Sequence, residues 1–218
     1  RRAEPSPRHA RRRSGRGTVP HAAKEQDARA AAQAAADALP GWAATGPSHR
    51  REVLLRGGAL LEARSGDFAA AMAAEIGASA VWTRRNISHA AAIFREAAAL
   101  TTQVAGEVIP SDVPGCLSMA LRQPAGVVLG IAPWNAPVIL GVRAVAVPRA
   151  CGNTVVFKGS ETCPRTHALI AEVLQEAGLP PGAVNFIVHA PQAAADVVGA
   201  PVAHPAGGRG NFTRSPRG

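Results

Sequence analysis

The stretch that most constrains the fold runs from Gly126 to Glu161 and reads GVVLGIAPWNAPVILGVRAVAVPRACGNTVVFKGSE. A short apolar run, Val127 to Ala132, is broken by Pro133-Trp134-Asn135. A mostly apolar segment of helical length follows to Arg149. Gly152-Asn153 then leads into the β-branched run Thr154-Val155-Val156-Phe157, which ends at Lys158. The order is strand, turn, helix, strand, and both strands are apolar enough to lie inside a parallel sheet. Polar groups gather only at the strand ends, at Asn135 and from Lys158 to Glu161. In an open α/β sheet, ligands bind at the carboxyl ends of strands, so the pattern points to a small-molecule site.

The flanks read as scaffold. Residues 21 to 39 form an alanine-rich helix stopped by Pro40-Gly41, with Trp42 as an anchor on the core. Ser48 can cap a second helix that ends near Gly66, and Asp67 a third that stops near Gly77. A fourth runs from about Ser79 to Ala105, with Trp82, His89, Ile93, Ala97, Leu100 and Val104 near helical spacing on one side. On that stripe His89 reads as a satisfied core histidine. Residues 106 to 125 turn extended and turn-rich, punctuated by Gly, Pro and Asp. Beyond the central stretch, Thr162 can cap a helix with Pro164 in its first turn and Gly178 as its stop. A strand from Val184 to Val188, a short helix from Gln192 to Gly199, and a strand beginning at Asn211-Phe212-Thr213 complete the alternation. Strands alternating with helices imply a parallel, Rossmann-like sheet.

The central residues also carry a resemblance. IAPWN followed by a helix and then GNTVVFKGSE is similar to the cofactor-binding half of the aldehyde dehydrogenase superfamily, and the likeness extends from about Ala22 to Gly218. The longer run GEVIPSDVPGCLSMALRQPAGVVLGIAPWNAPVILGVRA resembles the branch acting on aromatic aldehydes such as salicylaldehyde and vanillin. The resemblance implies an α/β fold with the sheet of that cofactor domain after a helical segment. It divides the chain into an Arg-rich head (1 to 20), a helical part (21 to 105), an oligomerisation arm (106 to 125) and an incomplete dinucleotide-binding part (126 to 218).

Aldehyde oxidation by this route needs a thiolate nucleophile, an oxyanion stabiliser, a hydride acceptor and a base. Asn135 matches the family's oxyanion asparagine, whose amide N–H faces the developing charge. Read without the resemblance, Asn135 is a cap for the following helix. Ile131, Pro133 and Trp134 match positions that flank the dinucleotide. Lys158 and Glu161 match those that hold the adenosine ribose, although a lysine leaving a strand and an acid in a first turn also suit a solvated end. A carboxylate accepts bonds from ribose hydroxyls and repels a 2′-phosphate, which favours NAD over NADP. Asn211-Phe212-Thr213-Arg214-Ser215-Pro216 resembles the family's N-F-T-G-S-T, with Ser215 aligned for the pyrophosphate. Arg214 in place of glycine would obstruct close approach of the backbone to a phosphate. Gly207-Gly208-Arg209-Gly210 is no dinucleotide fingerprint, lacking a strand before it and a helix after it.

Charge and cysteines narrow the alternatives. The formal net charge is +9, but seven arginines against one glutamate fall in the first twenty residues, and residues 21 to 208 balance 14 basic with 14 acidic groups. The basicity belongs to the ends. Without aromatic interleaving, nucleic-acid binding is not expected. The apolar stretch 127 to 147 is too interrupted for a membrane span, which needs roughly 20 clean apolar residues. Cys116, Cys151 and Cys163 form no C-x-x-C pair, so neither zinc nor a disulfide framework is expected, and a reducing cytoplasm suits them. None of the three matches the family's nucleophile, and a helix start could lower the pKa of Cys163. The expectation is thus half an active site: an amino-terminal piece of a homo-oligomeric enzyme, inactive and poorly soluble alone. A non-catalytic nucleotide-binding remnant is the alternative.

Overall fold

The computed structural model describes residues 22–213. The Arg-rich head and Arg214, Ser215 and Pro216 lie outside that range. Four helices come first: α1 (Glu25–Ala43), α2 (Pro47–Ala63), α3 (Ser65–Ile76) and α4 (Ala80–Leu100). A two-stranded antiparallel hairpin follows, β1 (Glu107–Ile109) with β2 (Ser118–Ala120). The remainder alternates: β3 (Val127–Ile131), α5 (Pro137–Ala150), β4 (Thr154–Lys158), α6 (Pro164–Glu176), β5 (Val184–Ile187), α7 (Ala194–Val202) and β6 (Gly207–Phe212).

The four strands β3 to β6 pair in parallel in the order β5-β4-β3-β6. Successive strands therefore step one way from β3, and the chain then returns past it to place β6 on its other side. That reversal is the topological switch point of a doubly wound sheet, beside which ligands bind at the strands' carboxyl ends. The Rossmann-like parallel sheet expected from the pattern is the observed one.

Alternation along the strands sorts the core into two layers. Val127, Leu129, Val156 and Ile187 face a cluster made with Ala28, Ala32 and Ala35 of α1 and Val197 of α7. Val128, Val155, Phe157 and Val184 face the opposite cluster, built with Phe68, Phe94, Val142 and Leu174 from α3, α4, α5 and α6. Alanines on the buried side of α1 let its backbone lie close to the sheet.

Several boundaries differ from the sequence reading. Helix α1 runs through Pro40 to Ala43, and Trp42 is buried as expected. Gly46, not Ser48, precedes α2, with Pro47 at its first position, and the helix ends at Ala63, short of Gly66. Asp67 sits inside the first turn of α3 instead of capping it, while Gly77 ends that helix in the left-handed conformation (φ 64°). Ser79 does cap α4, accepting from the Trp82 amide, but the helix stops at Leu100. Its buried face is Thr83, Asn86, Ile87, Ala90, Ala91, Phe94, Ala97 and Ala98, about one position round from the expected stripe. His89 is consequently exposed, bonded to its own helix at Arg85 O (3.1 Å), and is no core histidine. Cys163, not Thr162, is the residue before α6. Strand β5 ends at Ile187, one residue before Val188. A 3-10 turn, Pro191–Ala193, precedes α7, which reaches Val202. The glycines from Gly207 form β6 itself, so this strand begins four residues before Asn211.

One buried group is out of place energetically. Arg149, at the end of α5, is fully buried; its Nη1 donates to Asn153 O (3.1 Å), while Nε and Nη2 have no partner among the described residues. Burial alone pushes the guanidinium pKa down to about 9. A buried cation without a counter-charge costs more than a hydrophobe of similar volume. Arg149→Met should therefore raise the unfolding free energy by about 1–3 kcal/mol in urea titrations; a lower value for the variant would show that the arginine is stabilising.

Candidate active site

The site-bearing loops leave adjacent strands. Ile131 is the register partner of Lys158, and the amide of Ala132, just past β3, donates to Lys158 O (3.2 Å). Pro133, Trp134 and Asn135 then form a bend over the sheet edge, with Trp134 and Asn135 exposed and Pro133 half-buried. The end of β6 lies on the other flank, where Ile131 pairs with Phe212 and Thr213 N donates to Ile131 O (3.4 Å). The loop carrying Asn135 thus overhangs the switch point, and the loop carrying Glu161 adjoins it. Ile131 itself is half-buried at the tip of β3.

Helices α5 and α6 share an unusual construction. Each has proline at its first position and a preceding residue, Ala136 or Cys163, whose side chain makes no capping bond. Their open N–H groups are satisfied from the helical scaffold instead. Asn86 of α4, fully buried, donates to Trp82 O (3.1 Å) and presents its side-chain oxygen to Ile139 N (3.5 Å). Glu75 of α3 accepts from Arg165 N (2.7 Å), Thr166 N (2.9 Å) and Thr166 Oγ1 (2.7 Å). Three bonds to one carboxylate at a helix N-terminus are charge-assisted and favoured by the dipole. Glu75→Ala should destabilise the chain by about 2 kcal/mol in chemical denaturation; an unchanged midpoint would show that water replaces the carboxylate.

This bears on Asn135. The capping of α5 falls to Asn86, and the Asn135 side chain makes no hydrogen bond among the described residues. Its backbone oxygen is held instead by Trp82 Nε1 (3.3 Å). Asn135 itself is exposed.

Lys158 is 9% exposed, yet its Nζ reaches only to within 3.8 Å of Glu161 Oε2. Burial lowers the amine's pKa, and the Glu161 carboxylate partly restores it. Next to it, Cys163 is buried, and desolvation foremost, then the nearby Glu75 and Glu161 carboxylates, push its thiol up to about 12. The helix start does not activate this sulfur; it stays protonated and inert. Cys116 and Cys151 are likewise free. Two cavities of about 420 and 610 Å³ lie elsewhere, one among α2, α3 and α4 and the other along β5 and α1; neither is lined by Asn135, Lys158 or Glu161. No cluster of metal-ligating side chains occurs among the described residues, and none of their helices is long and apolar enough to cross a membrane.

The family model for the aldehyde dehydrogenase family matches residues 11–216. The chain belongs to the aldehyde dehydrogenase family. Within it, a vanillin dehydrogenase of Pseudomonas sp. (strain HR199 / DSM 7063) is 60% identical over 194 residues, which cover 89% of this chain and 40% of that protein. The crystal structure of a salicylaldehyde dehydrogenase from Pseudomonas putida G7, complexed with salicylaldehyde, superposes with a TM-score of 0.85 at 47% identity, covering 88% of this chain and 40% of that one. An NAD-dependent benzaldehyde dehydrogenase from Corynebacterium glutamicum does so with a TM-score of 0.85 at 31% identity, covering 90% and 42%. The chain spans about 40% of the length of these family members.

The sequence picked out Asn135, Ile131, Pro133, Trp134, Lys158 and Glu161, and all six stand at the carboxyl ends of β3 and β4. It missed Glu75 and Asn86, which hold the starts of α6 and α5, and His167, which ties the start of α5 to the β4 loop. A proline at the first helical position after a non-capping residue was the available signal for such distant caps.

Proposed function

We propose that this chain supplies the dinucleotide-binding and oxyanion-stabilising part of an NAD-dependent enzyme that oxidises an aromatic aldehyde to its acid. The observation that carries this reading is the bonding of β3 to β4 at their ends, Ala132 N to Lys158 O, which puts the Asn135 loop and the Lys158–Glu161 pair on one rim. The donor set suits a dinucleotide: an amine and a carboxylate 3.8 Å apart, too far for a direct hydrogen bond, can each turn to ribose hydroxyls. NAD, when bound, supplies the hydride acceptor. Lys158 would donate to the ribose, Glu161 would accept from it and disfavour a 2′-phosphate, and Ile131, Pro133 and Trp134 would help hold the dinucleotide. The Asn135 amide donates to the aldehyde oxygen as it gains charge. Ser215, outside the described residues, is proposed for the pyrophosphate. The aromatic-aldehyde class rests on the names of the vanillin, salicylaldehyde and benzaldehyde dehydrogenases.

The hairpin of β1 and β2 exposes Val108, Ile109, Val113, Leu117 and Met119, and is proposed as the arm through which copies of the enzyme associate. A cytoplasmic setting is proposed from the free cysteines. The test is NADH formation from vanillin or salicylaldehyde by the complete gene product and its Glu161→Gln variant. The variant should bind NAD roughly tenfold more weakly and lose discrimination against NADP. Equal use of NADP and NAD by the unmodified enzyme would contradict the role given to Glu161.

A further inference from the structure

His167, in the first turn of α6, is fully buried and bonded to both the β4 loop and the start of α5. Its Nδ1 accepts the N–H of Ser160 (3.0 Å), which follows Gly159 between Lys158 and Glu161 in the β4 loop. Its Nε2 lies 3.1 Å from Pro137 O, at the first position of α5 and two residues past Asn135. A ring nitrogen that accepts from an amide carries no proton, so the proton is on Nε2 and is donated to Pro137. The ring sits in a shaped socket. Phe157 meets it edge-on at 5.5 Å between centroids. A Cβ at Gly159 would lie 3.0 Å from His167 Cβ and Nδ1 and 2.6 Å from Phe186, and one at Gly141 would lie 3.2 Å from His167 Cδ2 and 2.4 Å from Ile170. Glycine on both sides leaves the imidazole a single seat.

We infer that His167 is a positioning residue: its neutral ring ties the β4 loop to the first residue of α5, where the Asn135 loop ends, and so sets the separation between that loop and the Lys158–Glu161 pair. The functional consequence rests on the cofactor reading above. Misplacement of a catalytic group by about 1 Å can cost two orders of magnitude, so a fixed spacer between two half-sites matters to both.

The two nitrogens can be separated by substitution in the complete gene product. In His167→Asn the amide oxygen takes the place of Nδ1 and keeps the Ser160 bond, losing Pro137. In His167→Gln the amide nitrogen reaches the place of Nε2 and keeps Pro137, losing Ser160. His167→Phe fills the socket and loses both. Hydrogen exchange at the Ser160 amide, the KM for NAD and kcat should split accordingly. The Asn variant should keep Ser160 protected and the KM for NAD within about twofold, but lower kcat by roughly tenfold; the Gln variant should expose Ser160 and raise that KM by roughly tenfold at near-normal kcat. If the Phe variant does not fold, the Asn and Gln pair still decides, since each keeps one bond. Equal losses of kcat and KM in both, or unchanged kinetics despite altered exchange, would overturn the inference and leave His167 a structural residue. A split in exchange and kcat with no saturable NAD dependence in the unmodified enzyme would uphold the spacer and reject the cofactor reading.

Discussion

Asn135→Ala should lower kcat for aldehyde oxidation by the complete gene product about 10²- to 10³-fold, with NAD affinity changed by less than about twofold. The magnitude is that of removing one preorganised oxyanion donor. The structure strengthens the expectation by removing the competing explanation. A helix-capping asparagine would cost stability when replaced, but α5 takes its side-chain acceptor from Asn86, and Asn135 caps nothing. The backbone at Asn135 is fixed by Trp82 Nε1 at 3.3 Å, so the loop should keep its shape in the alanine variant. The loss should therefore appear in kcat and not in the melting temperature. A variant that melts several degrees lower at normal kcat would return Asn135 to the scaffold.

The second large effect is on stability in acid. His167 has its pKa lowered from 6.5 to about 4, foremost by burial, with the Lys158 charge acting the same way and the Pro137 carbonyl opposing both. The Cys163 thiol 3.7 Å from Nδ1 carries no charge in this range. Between those two pKa values the unfolded chain binds more protons than the folded one. Stability from the neutral ring is thus complete above pH 6.5 and is lost as pH falls through about 4. The loss amounts to about 3 kcal/mol. Urea unfolding at about pH 7 and about pH 4 should show this drop in the unmodified chain and a shallower one in His167→Asn, the difference separating the histidine from carboxylates that also titrate. Parallel pH profiles would contradict the buried neutral imidazole.

Legibility in the sequence follows the range of the interactions. The strand–loop–helix–strand from Val127 to Lys158 could be read because each element carries its own apolar pattern, and the polar residues at its ends fell where strand ends must be. The buried face of α4 was misplaced because Trp82 drew the stripe toward large apolar residues. In a helix packed against α2 and α5, the inward positions are instead held by alanines around Phe94. Strand β6 was half missed since Gly207, Gly208 and Gly210 have no strand propensity; pairing with β3 makes them a strand. Glu75 reaches across 90 residues to α6 and Asn86 across 53 to α5, so nothing local marks either as a cap. His167 is of the same kind: the sequence shows a histidine in a helix, and only the fold brings Pro137 and Ser160 to its two nitrogens.

The most direct measurement is a crystal structure of the complete gene product with NAD. The dinucleotide should lie across the carboxyl ends of β3 and β4, with Lys158 and Glu161 on the adenosine ribose and the Asn135 amide beside the nicotinamide end. Density for NAD anywhere else, or contact with only one of those two loops, would contradict the account.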